Sequence, residues 1–184
     1  SNWTERIEPA SHDAVFIDRA GKDAAIYSGE TPDNLYAIRV GSMVGKTGEL
    51  RIAGGTLNAT QYSNAYTRIG VAGGHGEVYQ LAGNVTLNAL QVALDPGSKG
   101  SVCLEGGKLV IARGGQSSVG SIDLGALGGN GTFDITGGSL ETRRGVTLGR
   151  EGGVGEFSVH GSNPSRIAIG SYKARDGFWK QNAG

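Results

Sequence analysis

Apolar residues recur along this chain in short alternating runs that glycines separate. In Leu124–Leu140 the sequence reads LGALGGNGTFDITGGSL, and Phe133 and Ile135 alternate there with polar neighbours. Alternation with a period of two is typical of a β-strand with one buried face. No stretch keeps the period of 3.6 residues that an amphipathic helix requires. We therefore predict an all-β protein.

The run in Leu124–Leu140 is one copy of a repeated unit of three short strands. Weaker copies cover Val40–Leu57, Ile69–Leu87, Leu94–Leu109 and Leu148–Val159. The first strand of a unit ends in an apolar–x–apolar–Gly pattern, in which Asp twice replaces Gly. Because Gly, and to a lesser degree Asp, accepts left-handed backbone, we expect a sharp corner at this slot. Its members are Val15/Ile17/Asp18, Ile38/Val40/Gly41, Ile69/Gly70, Val92/Leu94/Asp95, Ile122/Leu124/Gly125, Val146/Leu148/Gly149 and Ile167/Ile169/Gly170.

The second strand of each unit follows a further glycine, at positions 48, 76, 100, 131 and 155. These glycines are 28, 24, 31 and 24 residues apart, which indicates a repeat architecture. The third strand follows a Gly-Gly pair and is marked by Leu57, Leu87, Leu109 and Leu140. The outward positions of the second strand are Glu49/Arg51, Glu77/Tyr79, Ser101/Cys103, Thr132/Asp134 and Glu156/Ser158.

Such short units predict a parallel β-solenoid, because one unit cannot bury its own apolar face but stacked units bury it continuously. We expect about six to seven coils with three short strands per coil. The solenoid should cover residues 14–176, after an N-terminal cap or irregular segment at 1–13. Residues 177–184 would begin a further coil or form an edge segment. An antiparallel sandwich is the alternative, but it would require longer strands and hairpin turns.

Three units carry a resemblance to a known class of repeats. TGELRIAGGTLNA, GNGTFDITGGSLET and GVGEFSVHG are similar to the GxGTLxVxGGxLxx repeats of exported bacterial β-solenoid proteins. These include autotransporter-passenger-like repeats and large sorting-signal surface proteins. The resemblance covers about Leu35–Gly170, and implies a right-handed parallel β-helix and an extracellular or cell-surface location. It brings no catalytic residues, and the sequence departs from it at Asp95-Pro96 and at the proline-containing segment 161–165.

The composition of the chain argues against some kinds of binding partner. Lys+Arg and Asp+Glu are both 17, so the chain has no basic surplus for nucleic acid or for an anionic membrane surface. Cys103 is the single cysteine and has no internal disulfide partner. No apolar run reaches the length of a membrane span, and we expect no membrane insertion of this segment.

The chemistry-bearing residues are scattered. The outward column Arg51, Tyr79, Cys103, Asp134 and Ser158 holds one acid, and Glu49 and Glu77 form the closest acidic pair. The histidines have no zinc-site spacing, and the stretch at 128–134 matches a calcium-binding nonapeptide poorly because Phe133 occupies the place of an Asp. We therefore predict no catalytic residues, no metal and no cofactor.

Aromatic side chains are the candidates for ligand binding, because a flat apolar ring with a polar rim suits a sugar ring. The predicted ligand-binding residues are Tyr62, Tyr66, Tyr79, Arg51 and Asp134. We also expect recognition where the repeat breaks, at Gln61–Tyr66, Gly114–Gly120 and Gly161–Ser165.

The sequence GFWKQNAG at 177–184 fits the second-strand pattern with Trp179 and Gln181 at the apolar slots. An open parallel edge is a template for pairing, so Phe178 and Trp179 mark a predicted self-association edge.

The leading functional hypothesis is a non-catalytic exported β-solenoid that acts as a surface, adhesive or spacer module. Its candidate partners are polysaccharide or cell-surface components. One alternative is a fragment of a β-helix carbohydrate-active enzyme, a lyase or hydrolase, with the active site elsewhere. A second alternative is an end-to-end self-assembly module.

Overall fold

The computed structural model describes residues 13–21, 24–29, 35–60, 66–111 and 121–160, and the backbone of two further strands at 167–174 and 178–181. These residues form parallel strands and contain no α-helix. The strands are β1 (Ala14–Ile17), β2 (Ala25–Tyr27), β3 (Ala37–Val40), β4 (Thr47–Ile52), β5 (Thr56–Ala59), β6 (Thr67–Ile69), β7 (His75–Gln80), β8 (Asn84–Leu87), β9 (Leu90–Val92), β10 (Lys99–Leu104), β11 (Lys108–Ile111), β12 (Ile122–Ala126), β13 (Asn130–Ile135), β14 (Ser139–Arg150), β15 (Val154–Val159), β16 (Ile167–Ala174) and β17 (Phe178–Gln181).

The strands stack into three faces of a β-solenoid. The first face runs β1-β3-β6-β9-β12 and on to the C-terminal half of β14, and the second face runs from β2 through β4, β7, β10, β13 and β15 to β17. The third face contains β5, β8, β11 and the N-terminal half of β14, because β14 continues around a corner from the third face to the first. The predicted all-β parallel solenoid is confirmed. Five coils in the described part of the chain have all three strands, slightly fewer than expected.

The inward side chains form one apolar core along the solenoid. On the first face, Val40, Ile69, Val92, Leu124 and Leu148 lie in register on successive strands, and all are buried. On the second face, the rings of Phe133 and Phe157 stack with centroids 5.2 Å apart. Each such side chain contributes roughly 1.5–3 kcal/mol when it is buried, but only if the neighbouring coil is present to cover it.

The glycines that the sequence analysis placed before the second strand are the second residue of each of these strands. They are in register, as predicted: Gly48, Gly76, Gly100, Gly131 and Gly155. Their backbone passes very close to the end of a first-face strand. A Cβ atom at Gly76 would fall against the carbonyl oxygen of Val40 and 2.6 Å from the nitrogen of Gly70. Glycine is required there because a side chain has no room, not because of the backbone angle.

The corner after the first strand has left-handed backbone at Gly41, Gly70, Gly125 and Gly149, as predicted. Asp18 occupies the equivalent slot without left-handed backbone. Its carboxylate accepts hydrogen bonds from the backbone N–H (2.6 Å) and the hydroxyl (2.9 Å) of Ser42 in the next coil.

Asp95 was predicted as a corner residue, and this is wrong. The corner lies at Ala93, which has a φ of 56° and follows Val92, the residue in register with Leu124. Leu94 therefore does not join the core. The Asp95 carboxylate accepts the backbone N–H of Ala72 at 2.7 Å, and Asp95 begins a turn through Pro96 and Gly97 that closes at the N–H of Ser98.

Two further register assignments from sequence are corrected. Ile167 and Ile169 pair with Leu140 and Thr142, so they belong to the third face, and the first-face slot is taken by the later residues of β16. On β8, Val85 and not Leu87 is in register with Leu57 and Leu109. In both places more than one apolar residue could take the slot, and only the pairing with the neighbouring coil distinguishes them.

Candidate ligand-binding faces

The second face presents two outward columns of side chains. Its complete strands have six residues each, so it is the broadest face of the described part of the solenoid. The strand registers place Glu49, Glu77, Ser101, Thr132 and Glu156 in one column and Arg51, Tyr79, Cys103, Asp134 and Ser158 in the next. The alignment of both predicted columns is confirmed, but Glu49 and Ser158 are buried and do not face outward as predicted. Neighbouring members are separated by about 4.8 Å, the spacing of adjacent strands.

Glu49 and Arg51 form an ion pair at the N-terminal end of these columns. The Nε atom of Arg51 lies 2.6 Å from Oε1 of Glu49, and the other carboxylate oxygen accepts the backbone N–H of Gly21 at 2.8 Å. The Gly21 hydrogen bond, and after it the bond from Arg51, hold the pKa of Glu49 below its ordinary value. The carboxylate is therefore fixed in its ionised form. The Arg51 guanidinium also lies 5.9 Å from the centroid of the Tyr79 ring.

Tyr79 and His75 both contact Glu77. The Tyr79 hydroxyl donates to Glu77 at 3.0 Å, and Nε2 of His75 lies 3.3 Å from the other carboxylate oxygen. Burial raises the pKa of Tyr79, and the hydrogen bond to Glu77 raises it further. The phenol thus stays protonated as a donor, and its ring is held in a partly buried position between Arg51 and Cys103.

The C-terminal part of the second face contains Cys103, Asp134 and His160. Nε2 of His160 lies 3.6 Å from Asp134, which occupies the coil after Cys103. Burial raises the pKa of the Cys103 thiol, so the thiol stays neutral and is a poor nucleophile. Among the described residues, no group of three or more His, Cys, Asp or Glu side chains is placed to hold a metal ion.

The first face carries an outward column that sequence analysis did not single out: Phe16, Arg39, Arg68, Gln91, Asp123 and Thr147. The Arg39 guanidinium lies 5.3 Å from the centroid of the Phe16 ring, and the Arg68 guanidinium lies 5.6 Å from that of Tyr66. Each member except Arg68, which follows Thr67, is the residue between the two apolar positions of a first strand. That pattern was visible in the sequence, but the pairing of the strands was needed to align the residues.

A polar chain continues along this column from Arg68. Its Nε atom donates to the side-chain oxygen of Gln91 at 2.9 Å. Burial raises the pKa of Asp123, whereas hydrogen bonds with Thr147 and Gln91 and the charge of Arg150 partly oppose this increase. The column therefore changes from aromatic to cationic and then to a carboxyl group and a hydroxyl.

The structure groups only some of the predicted ligand-binding residues. Arg51 and Tyr79 are neighbours on the second face, and Asp134 lies two coils beyond Tyr79. Tyr66 immediately precedes β6 on the first face and is not grouped with them. Tyr62 lies outside the described residues, as do segments 114–120 and 161–165.

Phe178 and Trp179 are described by their backbone alone. Strand β17 pairs Phe178 with Glu156 and Trp179 with Phe157, and places Gln181 opposite Val159. This register confirms that the segment continues the second-strand pattern. Whether it is a self-association edge stays a prediction.

A cavity of about 30 Å³ lies inside the solenoid and is lined mainly by apolar side chains, together with Thr67 and Gln80. The buried hydroxyl of Thr67 has no hydrogen-bond partner. This space is on the scale of a water molecule and far below the volume of a sugar-binding pocket. Binding of a polysaccharide would therefore take place on the outer faces.

Comparison with protein-family models, with curated proteins and with solved structures gives no match for this chain. Within the described residues, no helix has the length and apolar character that crossing a membrane requires. The class defined by the fold is thus the parallel β-solenoid.

Proposed function

We propose that this chain is a non-catalytic module of an exported bacterial surface protein, and that its second face binds polysaccharide. The observation that supports this most is the flat array around Tyr79. There the Tyr79 ring lies beside the carboxylate of Glu77, and the ion pair of Glu49 with Arg51 lies in register on the adjacent strand. An aromatic platform with fixed polar groups beside it suits the apolar faces and the hydroxyl rims of sugars.

The contacts of the carboxylates favour binding over catalysis. Glu49 is tied to Arg51 and Gly21, Glu77 to Tyr79, and Asp134 lies near His160. Acid–base hydrolysis requires two carboxyl groups whose pKa values are separated, one of them raised so that it stays protonated. On the second face, the pKa of Glu49 is lowered, which is the opposite of what a general acid requires.

Binding can be measured by affinity electrophoresis of the chain through gels that contain neutral polysaccharides. We expect Tyr79→Ala to weaken binding by about tenfold or more, because truncating a central aromatic anchor costs at least about 1.4 kcal/mol. Tyr79→Phe should retain most of the binding. Val44→Ala is the control, since this exposed residue lies on the corner before β4, outside the face. Equal retardation of wild type, Tyr79→Ala and Val44→Ala would exclude the second face as the binding site.

The enzyme alternative is distinguished from binding alone by incubating the chain with the same polysaccharides and measuring new reducing ends or unsaturated products. Release of products at a rate that depends on protein concentration, and that is lost in Glu77→Gln, would replace the binding proposal with a catalytic one.

The self-assembly alternative is supported by the position of β17. Strand β17 stands at the end of the strand order of the second face. Light scattering over a concentration series tests it. Growth of the apparent mass with concentration in wild type, abolished by Trp179→Asp, would support assembly, and a constant monomer mass in both would contradict it.

A further inference from the structure

Two arginines are neighbours on the first face, and neither has a counter-charge among the described residues. Arg39 on β3 is directly in register with Arg68 on β6, so their strands are about 4.8 Å apart. Like charges directly opposite each other on neighbouring strands are destabilising. No carboxylate of the described residues lies within salt-bridge distance of either side chain.

The two guanidinium groups are held by neighbouring side chains, and Arg39 has an unpaired N–H group. The Nε atom of Arg39 is buried and has no hydrogen-bond partner, which is costly for a charged group. Arg68 donates its Nε hydrogen to Gln91, and a contact with Asp123 orients Gln91 from the other side. Phe16 and Tyr66 support the two guanidinium groups from their aromatic faces. Such an arrangement is a preorganised site for an oxyanion.

We propose that Phe16, Arg39 and Arg68, named here the arginine column together with the buried Gln91 that orients Arg68, bind a carboxylate-bearing polysaccharide, a polyuronate. The guanidinium fork matches the planar carboxylate and holds it by paired hydrogen bonds. A carboxylate that bridges Arg39 and Arg68 relieves their repulsion. The Phe16 ring is 55% exposed at the end of the column and offers an apolar surface to the neighbouring sugar ring.

This site is distinct from the face around Tyr79, and the proposal goes beyond the binding of neutral polysaccharide there. The exposed ring beside the cations favours an acidic sugar chain over an acidic peptide. The zero net charge of the chain argues against nucleic acid, which would attract a basic protein.

The experiment measures binding of polygalacturonate by titration calorimetry, with polyglutamate, dextran sulfate and neutral dextran as comparison ligands. Arg39→Gln/Arg68→Gln should weaken polygalacturonate binding by at least about tenfold, because it removes two charge-assisted contacts. Lys108→Gln removes a cation from the third face and should change polygalacturonate binding by less than about twofold, since Lys108 lies away from the arginine column and its ion pair with Glu141 is exposed. Arg39→Lys/Arg68→Lys retains the charge but not the fork, and should give an intermediate loss.

Several outcomes would overturn the proposal. One is absence of polygalacturonate binding by wild type. Others are equal losses in Lys108→Gln and in the double variant, or polyglutamate or dextran sulfate binding as tightly as polygalacturonate. Thermal unfolding of each variant verifies folding, and the lysine variant keeps the test valid if the glutamine variant is unstable. Loss of neutral-polysaccharide binding in Tyr79→Ala together with intact polygalacturonate binding separates this proposal from the first.

Discussion

The substitution Gly76→Ala tests why glycine is the second residue of each complete strand on the second face. Gly70 donates its backbone N–H to the carbonyl of Val40 at 2.8 Å, which joins two coils at the corner. A Cβ atom on residue 76 would press on both of these atoms and would also come within 2.9 Å of the Ile69 side chain. The methyl group therefore cannot enter without separating the coils or breaking this hydrogen bond.

The cost follows from these two effects. Leaving a buried backbone donor and acceptor unpaired costs about 1–3 kcal/mol. Forcing a methyl group into a closely packed site adds about 1–3 kcal/mol of strain. We expect Gly76→Ala to lower the free energy of unfolding by about 2–6 kcal/mol, a large share of the stability of a small domain.

Two other glycines provide matched controls. Gly97 has a φ of 74° but open space around its Cβ position, so Gly97→Ala should cost only the left-handed strain of about 1–2 kcal/mol. Gly54 has open space and no left-handed angle, so Gly54→Ala should stabilise by about 0.4–1 kcal/mol through the unfolded chain.

Urea denaturation followed by circular dichroism measures all three variants, and the denaturant slope shows whether the cooperative unit has changed. If Gly76→Ala is no more destabilising than Gly97→Ala, the close approach is absorbed by a small shift of the coil. The steric explanation for the glycine column would then be refuted.

Three further predictions concern stability. Phe133→Ala should cost about 3–5 kcal/mol, and a double-mutant cycle with Phe157 in urea should give a coupling of about 0.5–1.5 kcal/mol for the stacked pair. The pKa of Glu49 is lowered in the fold, so its ionised carboxylate stabilises the fold above the ordinary pKa of 4.5, and this stabilisation is lost in acid. Glu49→Gln should therefore lower the free energy of unfolding at pH 7. The difference in stability between Glu49→Gln and the wild type should vanish as the pH falls through the pKa of Glu49 in the folded state. The pKa of Asp123 is raised in the fold, so the wild type loses stability as the pH rises above 3.8. In thermal melts at pH 7, Asp123→Asn should therefore be at least as stable as the wild type. A large loss of stability in Asp123→Asn at pH 7 would contradict the raised pKa.

The strand register of the second face could be predicted from the sequence because close packing requires a glycine at one position of each strand. Gly48, Gly76 and their equivalents cannot be replaced without a clash, so they fix the register and with it the outward columns. The corner at Ala93 was missed because an alanine in left-handed backbone has no sequence signature, and Asp95-Pro96 two residues later resembles a corner more closely.

The arginine column could not be read from the sequence for a different reason. Arg39 and Arg68 are separated by 28 intervening residues, and an insertion at 61–66 makes the unit between them irregular. Their proximity depends on β3 and β6 being adjacent, which is a property of the stacking. The Nε atom of Arg39 is buried without a hydrogen-bond partner, and this can be seen only when the neighbouring coils are in place.

The parallel stacking of the coils has a mechanical consequence. The hydrogen bonds between successive strands point along the axis of the solenoid, and at each junction between complete coils all three faces contribute them. A force that pulls the two ends apart is therefore shared at each junction by the bonds of three strands at once. In contrast, a force that peels a terminal strand sideways loads the bonds of one strand in sequence. The solenoid should resist stretching along its axis far better than peeling from its ends.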